Sequence, residues 1–340
     1  MSKILVTGGL GYIGSHTVAE LINAGYEPVI IDDLSNSNPK ILDQIAKITG
    51  HRPVFHQIDL SEEHLVKKLT VAEPDIQGVI HFAASKAVGE SVKLPLKYYR
   101  NNIYSLVNLL EAYYGTPLNF VFSSSCTVYG QPDELPVTEK SPVKPAASPY
   151  GNTKQIAEEI LRDTVAAGSN YKVIALRYFN PVGAHETALI GELPIGVPQN
   201  LVPYITQTAI GKREKVTVFG SDYNTPDGSC IRDYIHVVDL AKAHIAALEL
   251  MQSDNFSGYD VFNIGTGKGN SVLEIIAAFE KSTGVKLNYE IGPRREGDVE
   301  QVWGDVTKAS NQLHWKAELG IDAMMSSAWN WEKYLSENPL

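Results

Sequence analysis

The first half of the chain alternates short apolar runs with segments of helical periodicity. Runs such as KILVTGG, PVIIDDL and NFVFSSS have the length and unbroken hydrophobicity of strands that are buried on both faces. Between such runs, residues 94–114 and 150–167 carry apolar side chains at helical spacing. Short buried strands that alternate with amphipathic helices predict the α/β class, with a doubly wound parallel sheet.

The pattern changes after residue 180. Proline, glycine and short strand-like runs become frequent, as in ELPIGVPQNLVPY and KVTVFGSDYNTPDGS. We therefore expect one domain at residues 1–180 and a smaller α+β domain at 181–234 and 267–340. The apolar run YDVFNIGTG has the character of another buried strand, which predicts that residues 235–266 return to the first domain.

Composition narrows the class of partner. The 340 residues are 44% hydrophobic and 20% charged, and 39 acidic against 29 basic residues give a net charge of −10. This balance disfavours nucleic acid and anionic membranes as partners, and no apolar stretch predicts a membrane span. Two cysteines, Cys126 and Cys230, cannot form a disulfide framework or a zinc cluster. With no signal peptide recognisable at the N-terminus, we expect a cytoplasmic protein.

A glycine-rich segment, VTGGLGYIGS, lies between the first strand-like run and the first helical segment. Gly9, Gly11 and Gly14 satisfy G-x-G-x-x-G, and Gly8 with the latter two gives a second glycine spacing. Without side chains, this backbone can approach a pyrophosphate, which then meets the amides of the helix N-terminus. A purely structural turn is the alternative, but the strand before it and the helix after it favour a dinucleotide site.

Asp32 follows at the end of the second strand-like run. A carboxylate there can accept hydrogen bonds from the adenosine ribose hydroxyls, and together with Asp33 it would repel a 2′-phosphate. The sequence therefore predicts NAD rather than NADP.

Tyr150 and Lys154 stand four positions apart in SPYGNTK, which places them on one face of a helix. A strand-like run that ends in Ser123–Ser125 should bring Ser125 to the same sheet edge as the nucleotide. A free phenol has a pKa of about 10, and an ammonium or a positively charged nicotinamide beside it would lower that pKa. The spacing alone is equally compatible with a solvent-exposed Tyr–Lys pair, so the hypothesis of a proton-transfer site depends on the nucleotide turn.

These features, in this order, resemble the short-chain dehydrogenase/reductase superfamily in its extended form. The chain is more closely similar to the UDP-glucose 4-epimerases, also called UDP-galactose 4-epimerases, within it. The stretches that carry this resemblance are TGGLGYIGSHT, HFAASKAVGES, FSSSCTVYG, SPYGNTK, RYFNPVGAH, RDYIHVVDLA and PRREGD. The resemblance implies a Rossmann fold, bound NAD, and reversible epimerisation of UDP-glucose and UDP-galactose at C4 through a 4-keto intermediate.

The resemblance also implies roles for individual residues. The catalytic residues would be Ser125, Tyr150 and Lys154, with Tyr150 as general base and acid. The NAD-binding residues would be Gly8, Gly11, Tyr12, Ile13, Gly14, Asp32, Asp33, Asn36, Asp59, Leu60, Phe82, Ala83, Lys86, Asn101, Tyr150, Lys154 and Phe179. The UDP-hexose would contact Ser125, Asn180, Asn200, Leu201, Thr217, Phe219, Arg232, Arg295, Asp298 and Val302. No metal ligand is implied.

Three further expectations come from the resemblance. Ala84 replaces the family's usual glycine before Lys86, which leaves the lysine in place. Val302 would line the pocket beside the hexose C2 substituent, where a bulky residue excludes N-acetyl sugars. The family commonly forms homodimers through paired helices, for which residues 94–114 and 150–167 are the candidates.

Other members of the superfamily remain as alternatives. A sugar-nucleotide 4,6-dehydratase needs an acid next to the strand-end serine, where this chain has Cys126 and Thr127. A simple dehydrogenase would release NADH in every cycle. A non-catalytic NAD-sensing regulator would have no need for Tyr150 and Lys154.

Overall fold

The structure, a computed structural model, describes residues 2–295 and 299–340. Its strands, numbered along the chain, are β1 (Lys3–Thr7), β2 (Glu27–Asp32), β3 (Val54–Gln57), β4 (Ile76–His81), β5 (Leu118–Ser125), β6 (Tyr171–Tyr178), β7 (Asn180–Val182), β8 (Val216–Phe219), β9 (Ile231–His236), β10 (Tyr259–Ile264), β11 (Gly269–Ser271), β12 (Tyr289–Gly292) and β13 (Gln301–Val302). Its α-helices are α1 (Tyr12–Asn23), α2 (Ile41–Thr49), α3 (Glu63–Ala72), α4 (Val88–Lys93), α5 (Pro95–Tyr99), α6 (Ser105–Ala112), α7 (Pro149–Ala166), α8 (Leu201–Ala209), α9 (Val237–Gln252), α10 (Val272–Thr283) and α11 (Ile321–Glu337).

Seven parallel strands form the central sheet, in the spatial order β3-β2-β1-β4-β5-β6-β10. The direction of winding reverses between β1 and β4, and ligands of such sheets bind beyond the carboxyl ends of the strands at this switch point. The predicted doubly wound parallel sheet is confirmed. The run predicted from YDVFNIGTG is β10, which pairs with β6 at the edge of this sheet.

Alternation along β1 shows how the sheet is covered on both faces. Ile4 and Val6 pack into one hydrophobic cluster with Val18 of α1, whereas Leu5 between them packs into a second cluster with Leu106 of α6. All three strand residues are fully buried. A strand buried on both faces needs a continuous apolar run, which is the signal that the sequence carries.

One helix predicted to be continuous is interrupted in the structure. Residues 94–114 do not form one α-helix: Pro95 opens the short helix α5, a π-helical turn spans Arg100–Tyr104, and α6 follows. Asn102 explains the irregular turn, because its side-chain amide donates to the main-chain oxygen of Ser85 at 3.1 Å and to Thr153 Oγ1 at 3.0 Å. Single π-helical turns are frequent where a helix must aim a side chain at a site.

The rest of the chain builds a smaller assembly on the carboxyl edge of the sheet. Strands β11, β9 and β13 form one sheet, with β7 also paired to β9, and β8 pairs with β12. Helices α8, α10 and α11 cover these strands around a separate apolar cluster. Local sequence controls α10, where Ser271 and Glu274 form a capping box and Gly284 ends the helix in a left-handed conformation. No helix in the described part of the chain is both long and apolar enough to cross a bilayer.

The glycine turn between β1 and α1 is tightly packed. Gly8 has a φ of +67° and donates its N–H to the main-chain oxygen of Ile31 at 2.7 Å. A Cβ atom added to Gly14 would lie 2.1 Å from the main-chain oxygen of Gly8. The helix can approach the turn this closely only because residue 14 has no side chain.

We expect Gly14→Ala to destabilise the protein by about 1–3 kcal/mol, because the new methyl group must push the turn away from α1. Gly89→Ala in α4 is the matched control, since a Cβ atom there meets nothing within 4 Å. The measurement is the free energy of unfolding from urea denaturation. Equal stability of Gly14→Ala and the wild type would show that the turn tolerates the methyl group.

Candidate active site

Tyr150 and Lys154 lie on consecutive turns of α7, at the carboxyl edge of the central sheet. The helix starts at Ser148, whose hydroxyl accepts a hydrogen bond from the N–H of Gly151 at 3.2 Å, and Pro149 occupies the first turn. The Lys154 ammonium is 5.9 Å from the centre of the Tyr150 ring. Ser148 therefore sets where the helix begins, and the helix sets the separation of the two side chains.

Lys154 is taken out of water. It is 4% exposed, its Nζ donates to the main-chain oxygen of Ser123 at 2.7 Å, and it lies 4.8 Å from the centre of the Phe122 ring. Burial lowers the pKa of Lys154 to about 8, and the Glu158 carboxylate opposes that decrease. The alternative of a solvent-exposed Tyr–Lys pair is wrong.

The electrostatics of Tyr150 differ from the expectation based on charge alone. Burial and the neighbouring Tyr178 phenol raise the pKa of Tyr150 well above its usual value, while a hydrogen bond with Ser125 acts in the opposite direction. The sequence shows the lysine nearby but does not show how far the phenol is desolvated. Burial therefore disfavours the phenolate of Tyr150, and a neighbouring positive charge would favour it.

The three serines at the end of β5 have different partners. Ser123 Oγ lies 2.6 Å from the Tyr178 hydroxyl, and Ser124 Oγ donates to Glu158 Oε1 at 2.5 Å. Ser125 Oγ accepts a hydrogen bond from the N–H of Thr127 at 3.2 Å and also contacts Tyr150. Only Ser125 was predicted from the sequence as a site residue. The roles of the other two depend on partners that are distant in the chain.

The glycine turn has the shape that a pyrophosphate requires. A Cβ atom added to Gly8 would lie 3.0 Å from the main-chain nitrogen of Ala83, so the turn fits closely against the end of β4. Helix α1 begins at Gly11, and no side chain caps its first turn. The first amides of α1 thus keep their donors for an anion, which is the arrangement of dinucleotide sites.

Asp32 also holds the glycine turn in place through a hydrogen bond. Its carboxylate is 7% exposed and accepts hydrogen bonds from the N–H groups of Leu10 and Leu34, both at 3.0 Å, and from the Ser37 hydroxyl at 2.7 Å. Burial raises the pKa of Asp32 although these hydrogen bonds oppose the increase. The contact with Leu10 is a second role, which the sequence does not reveal.

The other residues predicted to bind the cofactor follow the carboxyl ends of their strands, with one exception in the π-helical turn. Phe82 and Ala83 continue β4 and donate their N–H groups to Thr7, at 3.1 Å to the main-chain oxygen and 3.2 Å to Oγ1. The structure places the rest after β1 (Gly8, Gly11, Tyr12, Ile13, Gly14), β2 (Asp33, Asn36), β3 (Asp59, Leu60), β4 (Lys86) and β6 (Phe179), and in the π-helical turn (Asn101).

Glu192 joins the predicted cofactor side to the predicted substrate side. Its Oε1 lies 3.6 Å from Lys86 Nζ and accepts a hydrogen bond from Asn200 Nδ2 at 2.6 Å. The main-chain oxygen of Glu192 accepts from Trp331 Nε1 at 2.8 Å. Nothing in the spacing of the sequence singles out this residue, because two of its partners, Lys86 and Trp331, are distant in the chain.

Apart from Ser125 at the end of β5, the residues predicted to bind the substrate lie in the segments that follow β6. Asn180 begins β7, Leu201 begins α8, and Thr217 and Phe219 belong to β8. The Arg295 guanidinium is 5.6 Å from the centre of the Phe219 ring. Asp298 lies outside the described residues.

Val302 packs in an apolar cluster, which is an alternative to its predicted role in the sugar pocket. It is 7% exposed and contributes to a cluster with Val128, Tyr129, Val137 and Phe179. Strand β13 nevertheless pairs it in register with Arg232 of β9. It thus lies one strand away from a predicted diphosphate contact.

Comparisons with known proteins cover nearly the whole chain. Residues 5–328 match a family model described as GDP-mannose 4,6 dehydratase. The chain is 51% identical to UDP-glucose 4-epimerase 2 of Arabidopsis thaliana, over 99% of this chain and 96% of that one. It is 50% identical to the UDP-glucose 4-epimerase of Haemophilus influenzae, over 97% of each.

Solved structures of UDP-glucose 4-epimerases also superpose closely on this chain. A UDP-glucose 4-epimerase from Stenotrophomonas maltophila, with bound NAD and formylated UDP-arabinopyranose, superposes with a TM-score of 0.95 at 45% identity over 99% of both chains. That of Bifidobacterium longum, in complex with NAD+ and UDP, gives 0.93 at 47% identity, again over 99% of both. The resemblance found in the sequence motifs is confirmed: the chain belongs to the UDP-glucose 4-epimerase family.

Proposed function

We propose that this chain is an NAD-dependent epimerase that interconverts UDP-glucose and UDP-galactose at C4, with Tyr150 as general base and acid. The observation that carries the proposal is that Tyr150, Lys154 and Ser125 lie at the carboxyl edge of the sheet, the edge at which the glycine turn follows β1. When bound, NAD supplies a hydride acceptor and donor for C4, so that a 4-keto sugar is the intermediate.

The residues of the chain supply the proton chemistry. Tyr150 takes the proton of the C4 hydroxyl and later returns it, and Ser125 orients the sugar oxygen through the hydroxyl that contacts Tyr150. The Lys154 ammonium favours the phenolate once the site is occupied. In this proposal, positive charge assembled around Tyr150 offsets the effect of burial, which raises the pKa of the phenol.

The smaller assembly is proposed to hold the nucleotide while the hexose turns over within the site. Arg232 and Arg295 would neutralise the diphosphate, and two guanidiniums are well suited to this task because each forms paired hydrogen bonds. Asn180, Asn200, Leu201, Thr217 and Phe219 would contact the sugar and uracil. In this proposal, residues 1–180 and 235–266 form the NAD-binding domain, and 181–234 and 267–340 the UDP-sugar-binding domain.

The dehydratase alternative lacks its acid. Ser125 is followed by Cys126 and Thr127, and burial raises the pKa of the Cys126 thiol to about 12, so this group does not exchange protons near neutrality. Lys154 and Tyr150 are built into the site by buried contacts, which a regulator that only senses NAD would not need.

The proposed assembly is based on exposed apolar side chains. Val92, Leu94, Leu96 and Tyr104 are at least half exposed, at 62%, 51%, 81% and 54%, along α4, α5 and the π-helical turn. An apolar strip of this kind favours burial against a second copy of the chain, and we propose a homodimer formed by this face and α7.

The proposed location is the cytoplasm. Both cysteines are free thiols, which fits that compartment.

Replacing Tyr150 with phenylalanine tests the proposed base. We expect wild-type protein to convert UDP-galactose to UDP-glucose, and Tyr150→Phe to lower kcat by about 10²–10⁴-fold, because the phenol moves the C4 proton. Binding of UDP by calorimetry should be unchanged. Tyr114→Phe, at an exposed tyrosine, is the control. Near wild-type turnover by Tyr150→Phe would place the base elsewhere.

The cofactor should remain with the protein through purification. The reaction is redox-neutral and returns NAD to its starting state, so the cycle does not require its release. The measurement is the NAD content of the supernatant after denaturation, by enzymatic reduction and absorbance. Clean protein that lacks NAD and is active only after NAD is added would count against the epimerase.

Val302→Tyr tests the width of the sugar pocket. Valine lies between tyrosine, which would close the pocket to N-acetyl sugars, and a small residue, which would admit them. We therefore expect UDP-glucose and UDP-galactose to be preferred and UDP-N-acetylglucosamine to be turned over measurably but more slowly. A related structure, 39% identical, is of a UDP-Glc/GlcNAc 4-epimerase from Campylobacter jejuni. Val302→Tyr should abolish only the N-acetyl activity, as measured by kcat/KM for both substrate pairs.

The buried position of Val302 requires a control for overpacking. Val302→Thr keeps the shape and should retain both activities, and thermal unfolding reports whether the tyrosine is accommodated. Equal N-acetyl activity in Val302→Tyr and the wild type would show that Val302 does not limit the pocket.

A further inference from the structure

A buried ion pair joins the catalytic helix α7 to strand β6. Arg177 of β6 donates from Nε to Glu158 Oε1 at 2.9 Å and from Nη2 to Glu158 Oε2 at 2.5 Å. The two side chains are 6% and 7% exposed. Although burial disfavours the cation, the hydrogen bonds and charge of Glu158 raise the pKa of Arg177. Buried pairs of this kind add little stability over apolar residues of the same volume, so their presence invites a functional explanation.

The pair is placed one helical turn from Lys154. Glu158 and Lys154 are four positions apart on α7, so their side chains share a face. Consecutive residues of β5 hold the two charges: the main-chain oxygen of Ser123 accepts from Lys154 Nζ at 2.7 Å, and the Ser124 hydroxyl donates to Glu158 at 2.5 Å. The same strand end therefore fixes both the ammonium and the carboxylate.

The carboxylate is also held from the far side. Arg177 Nη1 donates to the Tyr129 hydroxyl at 3.2 Å, and Tyr129 donates to Asn263 Oδ1 of β10 at 2.6 Å. Tyr129 belongs to the 3₁₀ turn that directly follows Ser125. The Arg177 guanidinium is thus fixed on both sides, and the Glu158 carboxylate that it binds has little freedom to move.

We propose that Glu158, fixed by Arg177 and Ser124, is a positioning residue whose buried carboxylate keeps the Lys154 side chain charged and held against β5. The inference rests on the proposed function, in which the Lys154 ammonium favours the Tyr150 phenolate. Glu158 touches neither the sugar nor the nicotinamide in this scheme and acts through Lys154 alone.

Other groups around Lys154 do not supply this charge. Burial, together with Lys154 itself, lowers the pKa of His81 to about 3, so that ring is neutral, and burial keeps the Cys126 thiol protonated. The titratable and charged groups in this region include Tyr150 and Glu158 on α7, His81 on β4, Arg177 and Tyr178 on β6, Tyr98 on α5, Cys126 and Tyr129 after β5, and Tyr259 on β10. Glu158 is the anion of this set.

The sign of the effect follows from the burial of Lys154. Burial lowers the pKa of Lys154 to about 8, and Glu158 limits the decrease. Removing the carboxylate lowers this pKa further, so the ammonium loses its proton at a lower pH. The alkaline limb of the kcat–pH profile, above which Lys154 is neutral, should therefore move to lower pH.

The experiment titrates Lys154 directly in the holoenzyme by NMR of ¹³Cε-labelled lysine, with the resonance assigned by its loss in Lys154→Met. Glu158→Gln, which keeps the shape, should lower the pKa of Lys154 by about one pH unit. The double variant Glu158→Gln/Arg177→Met should also titrate below the wild type, by less than the single variant, because no unpaired guanidinium is left. The alkaline limb of kcat for UDP-galactose should move with the resonance.

Thermal unfolding measures the structural contribution of the ion pair separately from the Lys154 titration. Glu158→Gln should unfold at a lower temperature because Arg177 loses its partner, and the double variant should recover part of that loss. Glu159→Gln, at the exposed neighbouring acid, is the matched control and should leave the Lys154 titration in place.

Wild-type titration of Lys154 in a folded Glu158→Gln or double variant would overturn the proposal, whatever the stability. Wild-type protein that does not epimerise UDP-galactose would instead overturn the proposed function. The NMR titration would still decide whether Glu158 controls the charge of Lys154.

Discussion

A charged lysine buried at the end of a parallel strand is the constraint around which this active site is arranged. Lys154 keeps only 4% of its surface exposed, and a charge removed from water must be compensated by nearby acceptors. The main-chain oxygen of Ser123 and the carboxylate of Glu158 provide the compensation, and both require β5, β6 and α7 to pack in one register. The parallel sheet therefore sets the position of the proton chemistry as well as that of the nucleotide.

The same edge also connects the two parts of the chain. Strand β9 belongs to the smaller assembly, and its Asp233, which is fully buried, accepts hydrogen bonds from the N–H of Thr266 at 2.8 Å and of Gly267 at 3.1 Å, just after β10. Glu192 makes a second connection, between Lys86 and Asn200. A carboxylate at each junction keeps the predicted cofactor residues and substrate residues in a fixed relation.

The sequence predicted the features that depend on local pattern. Apolar runs identified the parallel sheet, and glycine spacing identified the turn in which Gly14 meets Gly8. The sequence does not reveal features that depend on contacts between residues far apart in the chain. The pairing of Glu158 with Arg177 was missed, and the π-helical turn was mistaken for regular helix because Asn102 bonds to residues far along the chain. The pKa of Tyr150 required knowledge of burial, which no spacing provides.

The most direct test of C4 epimerisation is a ¹H NMR time course of purified protein with UDP-galactose in D₂O. Hydride that leaves C4 and returns to the opposite face of the same carbon never exchanges with solvent. The account predicts that UDP-glucose accumulates to equilibrium with a full proton signal at C4. Absence of UDP-glucose, or UDP-glucose with deuterium at C4, would contradict it.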